Sequence, residues 1–115
     1  MVNRIPVGAH YGIKDWIIQR ATAVVMAAYT ILFLIVIGLV APTTFEAWRG
    51  IFTNGFMKFA TFLFLFSLFY HAWIGMRDIW MDYIKPDGLR LLLMIATAAA
   101  LVGYAGWALQ ILGRI

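Results

Sequence analysis

Three apolar stretches, at about residues 17–40, 56–79 and 91–112, leave this chain little choice of fold. A helix that crosses a bilayer needs about 20 mostly apolar residues, because in hydrocarbon every backbone amide must find its partner inside the segment. Each stretch meets that length, and together they take up most of the 115 residues. With 64% hydrophobic and only 12% charged residues, what remains is too short and too apolar for a soluble catalytic domain. The expectation is an all-α integral membrane protein. It forms a single domain over residues 1–115 with three transmembrane helices. The first stretch exceeds the apolar core of a secretory signal, about 7–15 residues, and is read as a retained span. The opening "MVNRIPVGAHYGIKDW" lacks the Arg- and Ser-rich character of an organelle transit peptide, which favours a bacterial chain.

The basic residues orient the spans. Arg4, Lys14, Arg20, Arg77, Lys85 and Arg90 fall on the side of the N-terminal tail and second connection, against Arg49, Lys58 and Arg114 on the other. Six against three puts the N-terminus in the cytoplasm and the C-terminus outside. The net charge of +4 calls for no nucleic acid, since these residues flank spans and suit an anionic leaflet. Trp16, Trp48 and Trp80 stand near span ends, as an aromatic belt does. "APTT" at 41–44 and "KPDG" at 85–88 end the first two helices, because proline disfavours helical geometry before it and supplies no donor. On the third, Ala96, Ala100, Gly103 and Gly106 would let another backbone approach closely.

The missing residues narrow the chemistry. Without cysteine the chain can hold neither a thiolate-ligated iron–sulfur cluster nor a covalently attached haem. Two histidines cannot close a tetrahedral zinc site unless carboxylates join them. No phosphate-cradling glycine loop and no nucleophile-plus-base arrangement is present. Redox or metal chemistry here has to use a non-covalent cofactor and ligands shared with another chain.

Against that background His71 stands out. It lies about 9 Å inside the cytoplasmic edge at 1.5 Å per residue, a depth at which ionisable groups face protein and serve function. Three readings stand open for the residue alone. It can bond a neighbouring helix as a neutral imidazole, with Ser67 one turn away as a partner; it can relay protons; or it can ligate a haem iron. Gly75, one turn on, would let a flat macrocycle approach. If the helix persists, Asp82 shares the face of His71, about 16 Å nearer the cytoplasm, with Tyr83 beside it at the interface. A phenol there can donate to a carbonyl and a carboxylate can orient a basic group, although belt and solvated positions explain both residues as well. Arg20 enters the first span at a similar depth, either snorkelling or gripping an anion such as a cofactor carboxylate. His10 and Lys14 are read as solvated.

"GIKDWIIQRATAV" at 12–24 and "HAWIGMRDIWMDYIKP" at 71–86 resemble the D-type hydrophobic membrane anchors of succinate dehydrogenase, respiratory complex II. The resemblance runs from about Gly12 to Leu92, and its specific part is the histidine, ten residues, then Asp-Tyr. It implies that His71 is an axial ligand of a b-type haem shared with a C-type cytochrome b anchor, and that Arg20 lies near a haem propionate. It further implies that Tyr83 hydrogen-bonds a ubiquinone carbonyl, with Asp82 supporting the site through a neighbouring basic residue. The implied partners are the flavoprotein and iron–sulfur subunits, docked on the cytoplasmic face of a bacterial inner membrane. The rival reading is a small proton-translocating or transporter subunit that uses His71 and Asp82 without a cofactor. A purely structural anchor without a quinone site is the other.

Overall fold

A computed structural model describes residues 7–115, with side chains from Gly12 onward; Arg4 and the side chain of His10 lie outside it. The chain is all-α. Four helices follow in order among the described residues: α1 (Val7–Val40), α2 (Phe45–Thr53), α3 (Gly55–Tyr83) and α4 (Asp87–Arg114). Helices α1, α3 and α4 are long and apolar enough to cross a membrane, as the three stretches anticipate. They run past the apolar limits. At 1.5 Å per residue α1 is about 51 Å long, more than the ~30 Å of hydrocarbon, so part of it stands outside the apolar layer.

The breakers act through identifiable geometry. Ala41 turns to a left-handed φ of 48° and its N–H closes on the Ile37 carbonyl at 2.8 Å. This is the left-handed cap that commonly ends a helix, and Pro42 directly after it cannot resume the ladder. At the far end of α3, Ile84 becomes extended while its N–H still bonds the Trp80 carbonyl at 3.1 Å. Pro86 then caps α4 without a side-chain bond, and Arg90 pairs with Asp87 at 2.6 Å one turn in.

Helix α2 is a departure from expectation, which had only a connection between the first two spans. Thr44 Oγ1 accepts from the Ala47 N–H at 3.1 Å, Glu46 sits in the positive first turn, and Ile51 is buried. A nine-residue helix is too short to stand alone, and this one is held by its contact with α3. Asn54 ends α2 and starts α3, its Oδ1 accepting from Phe56 N at 2.9 Å and Met57 N at 3.2 Å.

Helix α3 lies in the middle, packed on α1 along one side and α4 along the other. Its buried residues, Met57, Thr61, Ser67 and Ile74, form the spine of a very small core. Large apolar side chains point outward instead, with Leu39 82% and Val102 72% exposed. That distribution suits lipid, where association depends on close packing and interhelical hydrogen bonds and apolar burial contributes nothing. Trp80 Nε1 accordingly donates to Thr97 Oγ1 across the α3–α4 contact at 2.9 Å. The small-residue face of Ala96, Ala100, Gly103 and Gly106 takes no part in it and is exposed.

Candidate functional site

A line of polar side chains runs down the seam between α1 and α3. On α1, Asp15, Gln19, Thr22 and Tyr29 recur at spacings of four, three and seven residues, which stacks them on one face of a helix. Their partners on α3 run the opposite way, as antiparallel packing requires. Asp15 forms an ion pair with Arg77, Gln19 covers Gly75, Thr22 meets His71, and Tyr29 meets Thr61.

His71 is therefore held from across the seam. Its Nδ1 lies 2.9 Å from Thr22 Oγ1, and Thr22 in turn donates to the Ile18 carbonyl at 2.7 Å. Buried Ser67, the partner considered from spacing, makes no bond to it. Nε2 has no hydrogen bond among the described residues and is not enclosed by the chain. Gly75 does not open the helix to a macrocycle on the seam side. Its missing Cβ would lie 3.8 Å from Gln19 Nε2, so the gap is filled by that amide. The Gln19 Oε1 is buried there with no hydrogen-bond partner among the described residues.

The other site residues are placed in different directions. Arg20 is exposed and stacks its guanidinium over the Trp16 ring, 4.9 Å from the centroid. Two residues from Thr22 is a turn of about 200°, so Arg20 leaves α1 on the side away from the seam, at the same height as His71. The structure does not bring those two side chains together within the chain. Helix α3 persists to Tyr83, which meets the condition for Asp82 to share a face with His71. Asp82 and Tyr83 are exposed, Tyr83 by 76%, and neither side chain has a hydrogen-bond partner among the described residues. Lys85 Nζ reaches the Asp82 carbonyl at 3.4 Å and not its carboxylate. The chain thus presents an imidazole held within the bundle and, about eleven residues along α3, a free acid and phenol at the helix end.

Among the described residues no group of three or more His, Asp or Glu could enclose a metal ion. An imidazole with one ring nitrogen not hydrogen-bonded among the described residues is what a haem iron shared between two chains would ask of this one, and His71 presents it. Thr22, Gln19, Asp15 and Arg77 were not singled out from the sequence, although polar residues at helical spacing inside an apolar span are the signal that would have found them.

Residues 3–105 match the model of the family described as succinate dehydrogenase/fumarate reductase transmembrane subunit. The chain is 36% identical over 101 residues to the succinate dehydrogenase hydrophobic membrane anchor subunit of Coxiella burnetii, covering 88% of each. All of the seam and the helix-end pair lie inside the family match. A match over that share of the chain shows that it belongs to the succinate dehydrogenase/fumarate reductase transmembrane subunits, as a multi-pass membrane anchor.

Proposed function

We propose that this anchor serves a succinate:quinone oxidoreductase of a bacterial inner membrane, as one membrane domain with its N-terminus in the cytoplasm and its C-terminus in the periplasm. His71 would hold the iron of a b-type haem through Nε2, with a C-type cytochrome b anchor supplying the other ligand. Arg20, at the same height, would hold a haem propionate through its guanidinium. When bound, the haem supplies one-electron storage beside the quinone site. The observation that carries this reading is the His71–Thr22 bond at 2.9 Å, which engages one ring nitrogen and leaves the other open.

Tyr83 and Asp82 form this chain's share of a ubiquinone site at the cytoplasmic face. The exposed phenol donates to a quinone carbonyl and polarises it, and the Asp82 carboxylate orients a basic group of a neighbouring subunit. Flavoprotein and iron–sulfur subunits dock at that face, where six of the nine basic residues gather. Placing the site there keeps the quinone near a soluble cluster and near the water that supplies its protons.

Reduced-minus-oxidised spectra of the purified complex test the first half. A b-type band that His71→Ala abolishes is expected; a cofactor-free complex would favour the proton-translocating alternative. Tyr83→Phe tests the second. The phenol has no bond to lose among the described residues, so assembly is retained while quinone reductase activity falls by about tenfold or more, the equivalent of ~1.4 kcal/mol. Unchanged activity removes Tyr83 from the site.

A further inference from the structure

The hydroxyl of Thr22 carries a single hydrogen and has three neighbours that bear on where it points. The Ile18 carbonyl is 2.7 Å away, the Gln19 carbonyl 3.1 Å and His71 Nδ1 2.9 Å. Bonding back to the carbonyl one turn earlier is the usual habit of a threonine within a helix, and the shortest contact is that one. With its hydrogen committed to Ile18, Oγ1 faces His71 as an acceptor, so Nδ1 must carry the proton. A neutral imidazole has only one, which leaves Nε2 as a bare lone pair. The reverse arrangement puts the hydrogen on Nε2, where no acceptor stands among the described residues, and also strips the Ile18 carbonyl of its hydroxyl. In apolar surroundings that arrangement forfeits two favourable contacts at once.

We infer that Thr22 is a positioning residue, which by accepting the Nδ1 proton fixes the His71 tautomer and turns the Nε2 lone pair outward for an axial metal site. This rests on the reading of His71 as a haem ligand. The threonine is well suited to the role, because its branched Cβ and its back-bond to Ile18 together restrict χ1. A ring N–H that donates to a fixed oxygen also makes the opposite nitrogen more basic, which favours the ferric over the ferrous ion.

The test uses the assembled, haem-loaded complex with Thr22→Val, Thr22→Ala and Thr22→Ser, and His71→Ala as reference. Valine keeps the shape and removes the acceptor; alanine serves should valine disturb the seam; serine restores the oxygen. Haem affinity is expected to fall 10–100-fold in the valine and alanine variants. The midpoint potential rises, by about 59 mV for each tenfold change in the ferric-to-ferrous binding ratio. The low-spin resonance of the oxidised haem shifts with it. Thr22→Ser stays close to native in all three measurements. Native potential, resonance and haem content in both Thr22→Val and Thr22→Ala, with the band lost in His71→Ala, would overturn the role of Thr22 alone. A band that survives His71→Ala would overturn the reading beneath it.

Discussion

The contact between Tyr29 and Thr61 gives the seam a measurable strength with an unequal pair of single-site effects. The two oxygens are 2.6 Å apart, Thr61 is 8% exposed, and Thr61 Oγ1 already donates to the Met57 carbonyl at 2.8 Å. Tyr29 is therefore the donor across the seam. Its ring also stacks on Phe64, with centroids 4.6 Å apart, so phenylalanine at 29 keeps the packing and loses only the hydroxyl. Tyr29→Phe leaves Thr61 with its own bond intact, and is expected to cost about 0.5–1 kcal/mol. Thr61→Val strands the Tyr29 hydroxyl in the interface and should cost more, ~1–3 kcal/mol. The double variant removes both polar groups and lies below the sum, with a coupling of about 0.6–1.7 kcal/mol, the range for interhelical bonds in membranes. The chain has no native cysteine, so a donor–acceptor dye pair on cysteines placed at exposed Leu34 and Phe59 can follow α1–α3 separation as SDS is titrated into mixed micelles. Equal single costs that simply add would refute the assigned donor direction and the bond itself.

Two further outcomes follow from the same geometry. Ala41→Gly relieves the left-handed φ of 48° and should stabilise the chain by about 1 kcal/mol, read as a rise in thermal midpoint; a fall would mean that the cap is not under backbone strain. Arg77→Gln removes the ion pair with Asp15, whose side chains are 28% and 34% exposed, and should cost no more than about 1 kcal/mol in the same SDS titration, with the difference shrinking as salt is added.

Why some features were legible in the sequence and others were not is seen best in particular residues. The end of α1 was readable from Pro42, because proline constrains its neighbours whatever surrounds them. The continuation of α3 to Tyr83 could only be stated as a condition, since its last turn is polar enough to be loop, and it is helix here. Helix α2 went unseen although Phe45, Trp48, Ile51 and Phe52 recur at helical spacing, because nine residues are too few to hold a helix alone and its single buried residue, Ile51, acquires its meaning only against α3.

By itself the sequence determined an all-helical membrane anchor with three spans and an imidazole inside the second. Hydrocarbon accepts few backbone solutions, and the length of an apolar run is enough to identify one of them. It also sufficed for the family, through the His71 and Asp82–Tyr83 spacing. The tertiary structure decided what each polar side chain meets. A helix carries its own angular register but not its rotation against a neighbour, and that rotation comes from the packing of whole faces. Turning α1 so that Asp15, Gln19, Thr22 and Tyr29 face α3 put Thr22 on His71 and Gln19 over Gly75, and sent Arg20 to the opposite side.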